Sequence, residues 1–399
     1  MSVTAAAGFS AAGVEAGLKS AAADGTAPRD VALVLNHGPD KHAAAVFTSN
    51  RVAAAPVLWS REAISDGRAD AVVLNSGGAN ACTGAPGFAD THQTAEVVAE
   101  KLQAAGTDAS AGDVLVCSTG LIGERLDMPA LLGGVGAAVT QLSAAELAGQ
   151  QAAQAIMTTD SVMKTSTIEA ADFTVGGMAK GAGMLAPGMA TMLSVLTTDA
   201  KISQPDLDSA LREAVRISFN RADSDGCMST NDTVIAMSSG AHPQADPSGV
   251  DLAEFQTALN RVCQDLATQL IADAEGAHHE IAITTINAAT EEQAETASRS
   301  VARSNLFKTA IFGQDPNWGR ILSAVGTTDV DFDPSAIEVA VNGVWICRAG
   351  GIGEDRSLVD LSGRHVKVII DLKSGDAEAT ILTNDLTHDY VHENSAYST

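Results

Sequence analysis

The stretch KGAGMLAPGMATML, from Lys180 to Leu193, surrounds one hydroxyl, that of Thr191, with glycines and apolar side chains. Glycine tolerates backbone angles that are closed to other residues, and Pro187 ends regular structure, so the approach to Thr191 is predicted to be irregular. The residues after Thr191 are apolar, like the start of a buried strand. A threonine becomes a nucleophile when its own freed α-amine serves as the base, which requires cleavage of the preceding peptide bond. The pattern therefore fits a self-cleaving nucleophile or an ordinary strand hydroxyl.

A second candidate is CSTGLIG, in which Thr119 and Gly120 follow a predicted strand. A hydroxyl beside a glycine N–H at a strand end can donate two hydrogen bonds to a developing oxyanion. The alternative is a simple turn between a strand and a helix. LNSGGANACTGAPG is a similar glycine-rich turn, but it lacks the GxxxxGK[ST] spacing of a phosphate loop, so it is predicted to be structural or to line a substrate pocket.

Charged residues near these segments offer further chemistry. Lys180 can hold a substrate carboxylate or tune an amine, although most lysines are solvated. Glu275 ends a long predicted helix and by itself is an ordinary surface acid. The turn from Asp315 to Arg320, DPNWGR, combines an aromatic ring with both charges and fits a packing corner equally well. None of these residues carries a functional conclusion alone.

Composition limits the classes of partner. The 399 residues include 49 acidic and 24 basic ones, a formal net charge of −25, which repels nucleic acids and anionic membranes. No apolar run approaches the roughly 18 residues of a membrane span, and the start lacks the pattern of a signal peptide. The five cysteines are odd in number, far apart and without CxxC spacing, which argues against a disulfide framework or a zinc site. We expect a reducing, cytoplasmic compartment.

The elements that must position these residues are of mixed α and β type. The length allows one large or two ordinary domains. Helical periodicity is predicted in THQTAEVVAEKLQAAG, in AAELAGQQAAQAIM and in a long helix that begins at Asp251 and stops at Gly276. Four apolar runs, each ending in a polar or glycine-containing turn, are predicted strands: DVALVLN, AAAVFTSN, AVVLNSGG and DVLVCSTG.

The last third of the chain predicts antiparallel pairing. HEIAITTINAA is a further predicted strand, and IEVAVNGVWICR predicts a hairpin that turns at Asn342 and Gly343. VKVIIDLKSGDAEATIL predicts a second hairpin. These two hairpins disfavour a purely parallel, doubly wound sheet.

Taken together, several motifs resemble one enzyme family. The ornithine acetyltransferases, which are bifunctional glutamate N-acetyltransferases/amino-acid acetyltransferases of arginine biosynthesis, contain similar sequences from near the N-terminus to the last residue. The matching segments are MAKGAGMLAPGMATML, CSTGLIG, AIMTTD, DAEG, KTAIFGQDPNWGR and ENSAYST.

The resemblance implies a fold and a mechanism. The implied fold is an α/β protein of the α+β type, a layered α-β-β-α sandwich with chemistry like that of amino-terminal-nucleophile hydrolases. The precursor would cut itself between Ala190 and Thr191 into an α chain, 1–190, and a β chain, 191–399, which stay entwined and form an α2β2 assembly. Thr191 would accept the acetyl group of N-acetylornithine and pass it to glutamate.

The resemblance also implies roles for individual residues. Thr119 and Gly120 match the oxyanion-stabilising pair. No metal or other cofactor is implied, and acceptance of acetyl-CoA stays open. The positions that match substrate contacts are Thr158, Lys180, Thr191, Glu275, Asn394 and Thr399.

Two alternatives from other classes remain at this point. An amidase or aminopeptidase on the same type of scaffold would release the acyl group to water instead of glutamate. A protein without catalytic activity would use the same glycine-rich segments merely as turns.

Overall fold

The computed structural model describes residues 2–21, 25–186, 192–246 and 248–396. Within these ranges the chain forms a mixture of strands and helices. The strands are β1 (Phe9–Val14), β2 (Val31–Asn36), β3 (His42–Phe47), β4 (Ala71–Asn75), β5 (Val114–Ser118), β6 (Lys164–Glu169), β7 (Thr174–Lys180), β8 (Leu193–Thr198), β9 (Thr233–Ser238), β10 (Glu280–Ala288), β11 (Glu338–Val341), β12 (Val344–Arg348), β13 (Gly351–Ile352), β14 (His365–Asp371) and β15 (Ala377–Asn384). The helices are α1 (Ala55–Ala63), α2 (Gly84–Ala104), α3 (Met128–Gln141), α4 (Glu146–Ala155), α5 (Gln204–Ile217), α6 (Leu252–Ala272), α7 (Glu291–Ala302), α8 (Asn305–Phe312), α9 (Trp318–Val325) and α10 (His388–Ala396).

The strands form three sheets. The first sheet has the order β1-β2-β4-β5, and the second has the order β3-β9-β8-β7-β6. In both sheets most pairs are antiparallel, but β4 and β5 are parallel, as are β8 and β9. The third sheet, β13-β12-β11-β14-β10-β15, is built only from the last third of the chain.

The first two sheets face each other between layers of helices. Val34 and Leu74 of the first sheet pack against Val195 and Ile235 of the second. Because successive strand residues point to opposite faces, Leu33 lies on the outer face of the first sheet, where α2 and α3 cover it. Helices α5 and α6 cover the outer face of the second sheet. The predicted α-β-β-α sandwich is therefore confirmed, and burial on both faces explains why the strands read as continuous apolar runs.

The third sheet has its own core. Strands β10, β14 and β15 contribute buried apolar residues that pack against α7, α8 and α9. The hairpin predicted at Asn342 and Gly343 is confirmed, since β11 pairs with β12 in an antiparallel register.

The second predicted hairpin is wrong. Strands β14 and β15 are not neighbours, because β10 lies between them, parallel to β14 and antiparallel to β15. The connection between them crosses the end of β10, where the amides of Ser374 and Gly375 donate to the carbonyl of Asn287. Local alternation indicated two strands and a turn, but a buried strand from elsewhere in the chain separates them.

The long helix ends earlier than predicted. Helix α6 stops at Ala272 and not at Gly276. The next residue, Asp273, leaves the helix and accepts hydrogen bonds from the amide of Ser161 and the ammonium of Lys164. These tertiary bonds replace further helical turns. No helix in the described part of the chain is both long and apolar enough to cross a membrane.

Candidate active site

One cavity of about 640 Å³ opens where the C-terminal ends of β5 and β7 approach α10. It collects residues that are far apart in the sequence. The predicted site residues that lie in the described ranges all line it, and they are Thr119, Gly120, Thr158, Lys180, Glu275 and Asn394. Thr191, Ala190 and Thr399 lie outside the described residues.

Thr119 and Gly120 directly follow β5. The amide of Thr119 donates to the carbonyl of Asn75, and the residue forms a bridge with Gly78, so the turn is tied to the end of β4. Gly120 has a φ of 130°, and a Cβ there would lie 2.9 Å from the Cα and N atoms of Gly78. Only glycine fits this backbone angle together with so close an approach of two chain segments.

Lys180 is the last residue of β7 and is 1% exposed. Its ammonium donates to the hydroxyl of Thr158 at 2.6 Å and to that of Thr119 at 3.4 Å. Burial lowers the pKa of Lys180, whereas the carboxylate of Asp160, 3.8 Å away, favours the charged form. The lysine therefore connects a predicted substrate-binding residue with the predicted oxyanion pair.

Asp160 organises the surroundings of Lys180. Its carboxylate accepts hydrogen bonds from the amides of Thr158 and Gly181 and from the ammonium of the fully buried Lys164. Burial alone would raise the pKa of Asp160, but the charges of Lys180 and Lys164 outweigh it and lower the pKa to about 2. Lys164 also pairs with Asp273 at 2.6 Å. This buried network fixes the loop that carries Thr158.

Glu275 and Asn394 form another part of the cavity wall. The carboxylate of Glu275 accepts a hydrogen bond from the hydroxyl of Thr159 at 2.8 Å and another from the side-chain amide of Asn394 at 2.9 Å. The amide of Glu275 donates to the carbonyl of Ala182. Glu275 is thus not the ordinary surface acid that its position after a helix indicated, because it is half-buried and held by three elements.

Sequence reasoning missed several polar residues of the cavity wall. The side-chain amide of Asn231 donates to the carbonyls of Ala79 and Ser118, which joins the start of β9 to the residue before Thr119. Its neighbour Asp232 is fully buried. The signal was the run STND, in which four short polar residues directly precede the strand β9. Such a run at a strand start is costly to bury unless each group has a partner.

Asp232 anchors the start of β8. Its carboxylate accepts hydrogen bonds from the amide of Met192 at 3.2 Å and from that of Ser229 at 3.1 Å. Burial raises the pKa of Asp232 well above its usual range, against the effect of these hydrogen bonds. Met192 is the residue that follows Thr191 in the sequence.

The cavity carries both signs of charge. Lys19 and Lys180 are its cationic residues, and Asp225 and Glu275 are its acidic ones. Burial raises the pKa of Asp225, although the amides of Met184 and Cys227 donate to it. Within the described ranges no group of three or more His, Cys, Asp or Glu side chains is arranged to hold a metal ion. The site can therefore bind a small molecule that carries charges of both signs.

Known proteins similar to this chain include relatives that match its whole length. The model of the ArgJ family matches residues 10–399. The arginine biosynthesis bifunctional protein ArgJ of Streptomyces coelicolor is 59% identical over 400 residues, and that of Thermobifida fusca is 58% identical over 399, each covering 100% of both chains. A solved structure of ornithine acetyltransferase from Mycobacterium tuberculosis, complexed with ornithine, is 55% identical with a TM-score of 0.45 and covers 48% of this chain and 96% of that one.

Proposed function

Because this chain belongs to the ArgJ family, we propose that it is an ornithine acetyltransferase of arginine biosynthesis that cuts itself and works through an acetyl-threonine intermediate. The bond between Ala190 and Thr191 is cut, which frees the α-amine of Thr191. That amine then serves as the base for the hydroxyl of the same residue. The acetyl group moves from N-acetylornithine to glutamate.

The first half-reaction acylates Thr191. Its hydroxyl oxygen attacks the acetyl carbonyl of N-acetylornithine while its α-amine takes the hydroxyl proton. The hydroxyl of Thr119 and the amide of Gly120 donate to the oxyanion of the tetrahedral intermediate. The carbon–nitrogen bond then breaks, the α-ammonium returns a proton to the leaving amine, and ornithine departs.

The second half-reaction releases the acetyl group. The α-amine of glutamate attacks the acetyl ester, and the same pair of donors stabilises the second oxyanion. The α-amine of Thr191 takes a proton from the attacking nitrogen and passes it to the oxygen of Thr191 as the ester carbon–oxygen bond breaks, which frees N-acetylglutamate and restores the hydroxyl. The mechanism needs no acyl carrier besides the threonine.

The charged walls supply recognition of the substrate. Lys180 and Thr158 lie beside Thr119, so they suit the α-carboxylate, which is separated by only one carbon from the reacting nitrogen. Glu275, held by Asn394, suits the side-chain ammonium of ornithine. Thr399 is proposed to complete the substrate contacts.

One observation carries the proposal. Six residues that the motifs single out, spread from Thr119 to Asn394, line a single cavity with two cations and two carboxylates. A set of unrelated turns would not be expected to converge in this way. The volume of about 640 Å³ is in the range typical of small-molecule sites.

The sheet topology supports entwined fragments. In the second sheet, β3, β6 and β7 belong to the segment 1–190, whereas β8 and β9 belong to 191–399. The pairings of β3 with β9 and of β7 with β8 thus join the two fragments by backbone hydrogen bonds. We propose that the cut chains remain one unit and that two units form the α2β2 assembly.

We also propose a cytoplasmic location. All five cysteines are free thiols, and Cys117, Cys263 and Cys347 are buried. Unpaired cysteines are typical of proteins from reducing compartments.

A transfer assay tests the function. The purified protein is incubated with N-acetylornithine, with or without glutamate, and ornithine, N-acetylglutamate and free acetate are measured. We expect sustained release of ornithine only with glutamate, together with an equal amount of N-acetylglutamate. Sustained release of acetate without glutamate would identify an amidase, in which water resolves the acyl-enzyme. No turnover with either mixture would contradict the assignment.

A further inference from the structure

Lys19 lines the cavity and has no role in the mechanism above. The backbone at Lys19 is fixed by Asp30, which is fully buried. The carboxylate of Asp30 accepts hydrogen bonds from the amides of Ala16 and Leu18, both at 2.6 Å, and from that of Lys19 at 3.1 Å. Because a buried carboxylate binds three amides of this turn, the fold itself holds Lys19 at the cavity.

The ammonium of Lys19 is incompletely satisfied. It donates to the carbonyl of Met157 at 3.1 Å and, among the described residues, forms no ion pair. An ammonium has three donors, so two remain for a ligand. Burial lowers the pKa of Lys19, while the carboxylates of Asp30 and Asp160 oppose the shift. A carboxylate that enters the cavity would supply the missing opposite charge at close range.

Three consecutive residues, 157–159, each make a hydrogen bond to one charged side chain of the cavity. The carbonyl of Met157 accepts from Lys19, the hydroxyl of Thr158 accepts from Lys180, and the hydroxyl of Thr159 donates to Glu275. One short segment after α4 thus arranges two cations and one carboxylate around the same cavity. Lys180 is already close to Asp160, but Lys19 has no such partner among the described residues.

The two substrates of the proposed reaction differ mainly at one end. Both have an α-carboxylate next to the reacting nitrogen, so one subsite beside Thr119 serves both. The side chain of ornithine ends in an ammonium, whereas that of glutamate ends in a carboxylate. Glu275 attracts the first and repels the second. A pocket that accepts both in turn therefore needs a cation within reach of the acceptor's side chain.

We propose that Lys19 is a specificity-determining residue that binds the side-chain carboxylate of the acceptor glutamate. This inference rests on the proposed function. Lys19 acts in the second half-reaction and has no partner on the donor, because the α-carboxylate of N-acetylornithine lies beside Lys180 and its side chain is cationic. The pocket thus holds separate partners for the two chain ends, Glu275 for the ammonium and Lys19 for the carboxylate.

The test uses processed enzyme and measures each half-reaction separately. The variants are Lys19→Met, which removes the charge at similar volume, Lys19→Arg, which keeps it, and Lys367→Met as a control on the exposed face of β14. Acetylation is measured as ornithine release from N-acetylornithine. Deacetylation of the isolated acetyl-enzyme is measured with glutamate and with glutamine, which has the same shape without the side-chain charge.

We expect Lys19→Met to lower kcat/KM for glutamate by roughly tenfold to a hundredfold, the usual effect of losing a hydrogen bond between charged groups. The reaction with glutamine and the acetylation step should change little. Lys19→Arg should keep most of the preference for glutamate, and Lys367→Met should behave as the unsubstituted enzyme. The melting temperature and the extent of self-cleavage of each variant check its folding.

Other outcomes separate the two claims. Equal losses with glutamate and glutamine, unchanged glutamate kinetics, or loss of the preference in Lys19→Arg as complete as in Lys19→Met would overturn the role of Lys19 but leave the proposed function intact. Failure of the unsubstituted enzyme to move acetyl groups from N-acetylornithine to glutamate would overturn the proposed function and this inference with it.

Discussion

Lys180 donates a hydrogen bond from its ammonium to the hydroxyl oxygen of Thr119 across 3.4 Å. An ammonium has donors and no lone pair, so Thr119 must accept this bond and direct its own proton to another acceptor. The same lysine is bound to Thr158 and lies near Asp160, which keeps it in place. Lys180 therefore orients Thr119 as a donor before any substrate arrives.

The first prediction concerns this donor. Thr119→Ala should lower the rate of acetyl transfer by about 10²–10³-fold with a much smaller change in KM, because the lost bond forms in the transition state. Thr119→Ser keeps the hydroxyl and is the control. Initial rates over a range of N-acetylornithine concentrations give kcat and KM. An unchanged kcat in Thr119→Ala would mean that the turn is only structural.

The second prediction compares two glycines. Gly120 and Gly123 both have positive φ, 130° and 90°, but a Cβ at Gly120 meets the backbone of Gly78 at 2.9 Å, whereas one at Gly123 meets nothing within 4 Å. Gly120→Ala should therefore displace the turn that carries Thr119 and Gly120, and the variant should lose most of its transfer activity. Gly123→Ala should lower the free energy of unfolding by only about 1–2 kcal/mol, the cost of placing an alanine at this backbone angle. Transfer rates and melting temperatures of both variants check this, and equal activity losses would contradict it.

The third prediction concerns processing. The purified protein should run as two fragments of comparable size on a denaturing gel, and sequencing of the second should begin at Thr191. Thr191→Ala lacks the attacking hydroxyl, so it should remain one inactive chain of 40.6 kDa. Thr191→Ser retains a hydroxyl and should still be cut. Efficient cleavage of Thr191→Ala at the same bond would refute self-cleavage.

The fourth prediction concerns acid stability. The pKa of Asp160 is about 2 in the folded protein against an ordinary value of 3.8. The unfolded chain thus binds more protons at this site between pH 4 and pH 2, so the contribution of Asp160 is complete above pH 4 and is lost as the pH falls through this window.

Asp160→Asn should cost about 3–5 kcal/mol at neutral pH, because it leaves Lys180 without its nearby buried carboxylate. The difference in the free energy of unfolding between the variant and the unsubstituted protein should narrow from pH 4 to pH 2. Denaturant unfolding at a series of pH values measures it, with exposed Asp376→Asn as the control. A gap that stays constant with pH would contradict the proposed charge network.

The fifth prediction concerns the acyl donor. Acetyl-CoA is large and anionic, and the chain combines a net charge of −25 with two carboxylates at the cavity. We expect it to acetylate the fragment that begins at Thr191 more slowly than N-acetylornithine does. Mass spectrometry after single turnover with each donor compares them. Equal rates would instead indicate an enzyme that mainly uses acetyl-CoA.

Local patterns predicted individual strands and helices but not the order of all strands, and the layered sandwich was implied by the family resemblance. The hairpin at Asn342 and Gly343 is correct because its turn type depends on adjacent residues. The supposed hairpin of β14 and β15 is wrong because β10, a strand from much earlier in the chain, is inserted between them. Periodicity contains no information about such an insertion.

The site was predictable only in part, for a related reason. The resemblance pointed to Lys180 and Glu275, and the structure brings them to one cavity. The residues that support them, such as Lys164 and Asn231, are single polar side chains with partners far along the chain. Their role follows from partners that only the three-dimensional structure brings together. For Asn231, the polar run before β9 was a usable signal.

The five-stranded second sheet has a consequence for the folding of the proposed enzyme. Its strands β7 and β8 pair across the Ala190–Thr191 bond while they still belong to one molecule. If this bond is cut as proposed, two separate chains must make the same pairing on refolding from denaturant, so refolding becomes second order and slows on dilution. The precursor alone refolds at a rate independent of concentration. Under the proposed mechanism, the fold therefore forms once, in the uncut chain, before cleavage makes the enzyme active.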